Sequence, residues 1–393
     1  MVSIPHEPAF PRTEFERRVV AAQTSIAARG LDGILLFGPH NVFYLSGMDS
    51  ENLFDFQCLI VGRDGEPTLA ILDFEEARAA NSLGYGTPVS YHAFDDPVAF
   101  VADQLRARGI ERGRLGLEQR APFTLTPALL TRFREALPNA TFEDPFGIVE
   151  DLRLVKSDAE VGYQRRAAGL TDAAVEAAYG VLRPGIRDAE VAAVIMNTLY
   201  RGGSDTVCWG PIVASGFLSG SAHSSFNGRQ IQAGETIFLE ITGEVKRYTA
   251  PLMRTAILGQ PTAEIARVAE AGTRAVQTIL ETARAGVPAA DVARAAGRVV
   301  EPILDDIVFH HMFGYPVGIG YPGTWIETLG FFIRIDNPRP LKPGMVFHLP
   351  MSFRKFGEFG ANQSHTIRIS EDGPAEALTK TEARLRVLGA AAG

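Results

Sequence analysis

Only two cysteines occur in 393 residues, Cys58 and Cys208, far apart and in no CxxC pattern. That argues against a disulfide framework and fits a reducing compartment, so a cytoplasmic location is expected. Basic blocks are missing as well. No run of five or more Lys or Arg stands out and the net charge is -8, so neither nucleic acid nor an anionic membrane is an expected partner. Long apolar runs are absent: "GILLF" and "CLIVG" fall far short of the roughly 20 residues that cross a bilayer. The stretch "MVSIPHEPAFPRTEFERRVV" carries acids and prolines but no apolar core, so no secretory signal is expected.

What is present is an ordinary globular composition, 46% apolar and 21% charged, in a chain long enough for two cores. Residues 13 to 30 read as an amphipathic helix between a Thr cap and Gly30. "LDGILLFG" reads as a buried strand, and "CLIVGRDGEPTLAILDFEEARAA" as strand, Asp64-Gly65 turn, strand and helix. Strands and helices go on alternating to about residue 150, which predicts an α/β domain over 1–155. From there "KSDAEVGYQRRAAGLTDAAVEAAYGVL" opens on a Ser157/Glu160 capping box. Two helical hairpins then separate the strand-like runs "GETIFLEITG", "MRTAIL", "GMVFHLPM" and "SHTIRIS". That is an α+β pattern, expected to form a second domain over 156–393. The closing "RLRVLGAAAG" is expected to fray.

Five motifs in order carry a resemblance over about 330 residues. They are "PHNVFYLSG", "LRLVKSDAEV", "HSSFNGRQIQAGETIFLEITG", "HMFGYPVGIG" and "LKPGMVFHLPM". Together they resemble the pita-bread family of creatinases, prolidases and methionine aminopeptidases. The resemblance implies the creatinase/aminopeptidase fold: a creatinase-like α/β N-terminal domain and an α+β pita-bread catalytic domain. It also implies a homodimer in which N-domain residues, Tyr44 and the Phe54–Phe56 stretch among them, close the partner's pocket.

Metal-using members of that family hold two divalent ions with two Asp, one His and two Glu, which together deprotonate a bridging water. Carried onto this chain, those positions fall on Glu240, Pro251, Tyr315, Leu349 and Ser364. One carboxylate of the five remains, so neither metal nor cofactor is expected.

The remaining chemistry falls on a few side chains. His223 precedes Glu240 by seventeen residues, the spacing at which the resemblance implies a pocket His, and an imidazole suits proton transfer near neutral pH. Glu240, in the apolar run "TIFLEITG", is the candidate nucleophile or base. Tyr315 and His365 are candidates for holding substrate, as is His311. Trp209 and Trp325 offer aromatic walls for a cationic or zwitterionic ligand. Arg254 is read as structural. Met253 and Leu349 stand where creatinases carry substrate-gripping Glu, which disfavours creatine. "EITGEVKRYTAPLMRT" and "GYPVGIGYPGTW" look closest to the ectoine-hydrolase branch. The expected activity is metal-independent hydrolysis of a non-peptide C–N bond in a small nitrogen-rich zwitterion. The alternatives are a creatinase-like amidinohydrolase, an Xaa-Pro dipeptidase and a non-catalytic binding protein.

Overall fold

The computed structural model describes residues 4–120 and 126–389, and the chain divides into two compact units at Arg153/Leu154. The first is built on a six-stranded sheet. Its strands are β1 (Gly33–Leu36), β2 (Cys58–Gly62), β3 (Thr68–Leu72), β4 (Thr87–Tyr91), β5 (Arg114–Leu117) and β6 (Thr141–Glu143), in the order β4-β3-β2-β1-β5-β6. β1 pairs antiparallel with β2 and parallel with β5. The middle strands are apolar on both faces because helices cover them, and Leu35, Ile60, Leu115 and Phe133 meet in one core.

Helix Arg12–Ala28 begins one residue before Thr13, with Pro11 rather than a Thr hydroxyl at its cap. It stops as expected at Gly30, where φ is 69°. "PHNVFYLS" is itself a helix, Pro39–Ser46. Its amino end is tied down by Glu118, which accepts from Phe37 N (2.6 Å), Gly38 N (2.7 Å) and Asn41 Nδ2 (2.6 Å).

In the second unit, helix Asp158–Val181 starts at the expected box, with Ser157 and Glu160 capping each other's backbone. It packs with Asp188–Arg201 against a sheet of β7 (Ile212–Ser215), β8 (Thr236–Ile241) and β11 (Leu252–Leu258). The short strands β9 (Glu244–Val245) and β10 (Tyr248–Thr249) lie between β8 and β11 in the chain. They belong to a second sheet with β12 (Tyr315–Tyr321), β13 (Thr324–Ile326), β14 (Val346–His348), β17 (Thr366–Arg368) and β18 (Glu376–Ala377). β15 (Met351–Lys355) and β16 (Phe359–Gln363) form a hairpin. Helices Ala263–Thr282 and Ala289–Val300 bury Val268, Val276, Val292 and Ala296 in a core with Phe347, Leu349, Phe353 and Ala361.

The expectation of a frayed end is corrected over Arg386–Leu388. These residues form β19, parallel to β11, because β11 otherwise presents an open edge; residues 390–393 lie outside the described residues.

Candidate active site

Glu240 sits on β8, an interior strand with β7 on one side and β11 on the other. Alternation along β8 turns Ile237, Leu239 and Ile241 into the helix-packed core and leaves Phe238 and Glu240 on the opposite face. Ile212 and Met253 are its cross-strand neighbours. A carboxylate set between apolar neighbours, 6% exposed, loses hydration. Burial pushes its pKa up to about 7, and the Arg354 charge pulls against this without forming an ion pair. The group is therefore poised between acid and base near neutrality.

Arg354 arrives from β15. Phe353 turns toward the helices, while Arg354 lies over the Phe238 ring at 5.7 Å from its centroid, on the Glu240 face of the sheet. Its Nη1 donates to Ser352 Oγ, which in turn donates to Asn362 Oδ1 at 2.8 Å. Arg354 Nε and Asn362 Nδ2 are buried and meet no acceptor among the described residues. Buried donors left unmatched are costly, and two on one hairpin, with an Arg charge beside them, fit an anionic group.

Tyr315, the first residue of β12, feels the Glu240 charge; its pKa is raised well above the usual phenol value, by burial first and then by Glu240. Trp325 Nε1–H donates to its hydroxyl at 2.8 Å. The same hydroxyl meets His348 Nδ1 at 2.6 Å, and His348 Nε2 meets Ser364 Oγ at 2.7 Å. Ser364 Oγ also accepts from Met253 N at 2.6 Å. Trp209, 42% exposed, extends the aromatic wall, its ring 6.0 Å from that of Trp325.

Four of the candidates take other places. His365 is buried, bonded through Nδ1 to Thr379 Oγ1 at 2.8 Å and held down at about 3, by burial first and then by Arg254. It is a neutral wall residue rather than a charged clamp. His311 is exposed in a left-handed turn (φ 55°) beside Phe309. Tyr44 lies in the core of the first unit, 3% exposed, under the Arg18 guanidinium at 4.3 Å, so its ring has no face to offer a partner. His223 is exposed at φ 57°, and it is not among the groups that shift the Glu240 pKa. Its loop is hung nearby, since Ser225 Oγ donates to Pro211 O at 3.2 Å and Pro211 precedes Ile212, the strand partner of Glu240. Arg254 is structural as expected, donating to the carbonyls of Met253 (2.7 Å), Ser364 (2.5 Å) and Thr381.

His348 and Arg354 were not singled out from the sequence. Period-2 alternation in "MVFHLP" holds the signal for the first: Phe347 and Leu349 enter the helix-side core, which leaves His348 on the site face. Leu349 therefore packs in the helix-side core, whereas His348 bridges Tyr315 and Ser364. Arg354 follows Phe353 by the same alternation.

The donor set does not fit a pair of divalent ions. Glu240 is the one carboxylate at the five positions; Pro251 and Leu349 have no donor atom, and the Tyr315 and Ser364 hydroxyls are weak ligands already bonded to His348. Among the described residues no group of three or more His, Cys, Asp or Glu could hold a metal ion.

A creatinase/prolidase-type N-terminal unit followed by a pita-bread unit defines the class. Residues 18–155 match the creatinase/prolidase N-terminal domain, and residues 163–371, more than half of the chain, match metallopeptidase family M24. The chain belongs to that family. It is 29% identical to the ectoine hydrolase of Halomonas elongata over 95% of this chain and 96% of that protein. It is 24% identical to the Xaa-Pro dipeptidase of Pyrococcus furiosus over 90% and 95% of the two chains, and 24% identical to a Bacillus creatinase over 95% and 92%. Among solved structures, the dipeptidase PepE of Mycobacterium ulcerans superposes with a TM-score of 0.83 at 24% identity, covering 96% of this chain and 99% of that one. The prolidase of Thermococcus sibiricus superposes with a TM-score of 0.84 at 21% identity, over 95% and 99%. Relatives with these names are hydrolases. Among the described residues no helix is long and apolar enough to cross a membrane.

Proposed function

We propose that this chain is a metal-independent hydrolase that opens a non-peptide C–N bond in a small nitrogen-rich zwitterion. Ectoine, opened to N-acetyl-diaminobutyrate, is the lead substrate. The observation that carries this reading is the buried Glu240 carboxyl, titrating near neutrality where other family members would place a metal ligand. Similarity to the Halomonas elongata enzyme supports the choice of substrate.

A cyclic amidinium is an electrophile without help from a Lewis acid, whereas a neutral peptide carbonyl is not. Ionised Glu240 takes a proton from water, and the hydroxide adds to the amidinium carbon. The ring C–N bond then breaks with its electron pair going to nitrogen, which takes the proton back from Glu240; Glu240 next relays the hydroxyl proton of the new C–OH to the same nitrogen, leaving an amide carbonyl and an ammonium. Tyr315 offers a hydrogen bond to the new oxygen. Arg354 pairs with the substrate carboxylate, and Trp209 and Trp325 face the cationic ring. His223 serves as a second proton carrier when its loop folds onto the substrate.

The test is incubation of the purified protein with ectoine, hydroxyectoine, creatine and Xaa-Pro dipeptides, with and without EDTA, with products read by mass spectrometry. Ectoine turnover that survives EDTA and disappears in Glu240→Ala is expected. Full activity in Glu240→Ala, or turnover that needs a stoichiometric metal, overturns the reading. Cleavage of the dipeptides alone would place the chain with the Xaa-Pro dipeptidases instead.

A further inference from the structure

The scheme above leaves His348 without a task, yet it bridges two of the family's ligand positions, Tyr315 and Ser364. The bonding around it is constrained. An indole N–H and a backbone N–H can only donate, so Trp325 and Met253 have each claimed one lone pair, on the Tyr315 and Ser364 oxygens respectively. Burial, with the Arg254 and His310 charges adding to it, holds the His348 pKa at about 3. The ring is thus neutral at working pH, with one protonated and one bare nitrogen. If Nδ1 carries the proton, it donates to Tyr315; Ser364 must then donate to Nε2, and the Tyr315 proton is free to point elsewhere. If Nε2 carries it, the roles exchange and the Ser364 proton is free. One hydroxyl proton is always spent on the ring and the other is always available.

We propose that His348 is a positioning residue whose Nδ1-protonated tautomer makes Tyr315, rather than Ser364, the hydroxyl that donates a proton or hydrogen bond beside Glu240. Two features select that tautomer. The Arg254 guanidinium lies at the Ser364 end of the ring, its Nη1 donating to Ser364 O at 2.5 Å, so the bare nitrogen rather than the N–H faces the cation. Tyr315, at the other end, feels the Glu240 charge, which attracts the free proton. The device occupies space that a metal and its ligands would otherwise fill, and it supplies directional donation in place of Lewis acidity.

The task given to Tyr315 rests on the proposed reaction; the tautomer does not, and the two are tested separately. In protein labelled with ¹⁵N-histidine, long-range ¹⁵N–¹H correlation distinguishes protonated from bare ring nitrogens for each of the 8 histidines. The His348 signals are identified by their loss in His348→Gln, or by their perturbation in Ser364→Ala should that variant not fold. A neutral ring protonated at Nδ1 is expected. Protonation at Nε2, or a charged ring at pH 7, overturns the proposal whatever the substrate proves to be.

The kinetic arm uses the substrate found in the turnover screen. Tyr315→Phe is expected to lower kcat on the order of a hundredfold, the usual loss on removing one such donor. His348→Phe is expected to lower kcat at least about tenfold with KM within about twofold. Because His348 acts through Tyr315, the double variant should be no slower than Tyr315→Phe alone, and His348→Gln, which keeps a donor and an acceptor, should recover part of the loss. Multiplicative losses in the double variant, or a loss confined to KM, would show that His348 does not work through Tyr315.

Discussion

Replacing Glu240 by Gln should make this protein more stable, and only above a certain pH. The folded-state carboxyl ionises near 7 against an ordinary value of 4.5. At about 1.4 kcal/mol per unit, the difference is worth about 3 kcal/mol. The sign follows from linkage. Below pH 4.5 the group is protonated in both states and contributes nothing. Between 4.5 and 7 the unfolded chain gives up its proton while the folded chain keeps it, so folding loses stability progressively. Above 7 the full cost is present. Glutamine has nearly the same shape and does not titrate. Urea unfolding of the two proteins at half-unit steps from pH 4.5 to 8.5 should show curves that coincide at the acid end and diverge to about 3 kcal/mol in favour of Glu240→Gln at the alkaline end. In melting temperature that is roughly 4–6 °C for a chain of this size. A difference that does not vary with pH, or a Gln variant less stable than wild type at pH 8, would mean that the carboxylate is solvated or tightly paired, and the site as described would be wrong.

Arg354→Met should raise KM for a carboxylate-bearing substrate by roughly ten- to a hundredfold, the value of one charged hydrogen bond, with a smaller effect on the corresponding amide. It should also move the acidic limb of the pH–rate profile upward, because Arg354 is the charge that holds the Glu240 pKa down. Lys156 and Glu327 form an ion pair with neither side chain exposed. Lys156→Met should cost on the order of 3–5 kcal/mol in urea unfolding by leaving a buried carboxylate behind, and Lys156→Met with Glu327→Leu should recover most of it.

The two-domain plan was legible in the sequence because it rests on local signals: the strand–helix alternation to about residue 150, the Ser157/Glu160 box and the Gly30 stop each act over a few residues. Glu240 was legible for a related reason. A lone acid in "TIFLE" must either end a strand at the surface or point into something, and its apolar neighbours leave only the second choice. His348 was hidden because its meaning lies in Tyr315, 33 residues earlier in the chain, and Ser364, 16 residues later. Arg354 was hidden because a charge on a hairpin reads as solvent-facing until the sheet behind it is known. Tyr44 was singled out by a motif, and its burial under Arg18 could not be read from that motif because Arg18 lies on another helix.

On the proposed metal-independent reading, the residues at the five ligand positions work as a set. Had Pro251 and Leu349 alone replaced carboxylates, Glu240, a His at 315 and a Glu at 364 could still have gathered one ion. A Tyr at 315 and a Ser at 364 remove that option, and both hydroxyls are committed to one imidazole that burial keeps uncharged. On that reading no dication stands beside Glu240. A carboxylate beside two dications would be ionised at any working pH; buried among apolar neighbours, with the Arg354 charge pulling the other way, its pKa rises to about 7. On the proposed metal-independent reading, this is what makes the surviving acid a group able to take up and release a proton rather than a ligand. Restoring one cation ligand, as in Tyr315→His, should not restore metal-dependent chemistry, because the remaining positions still offer a single carboxylate.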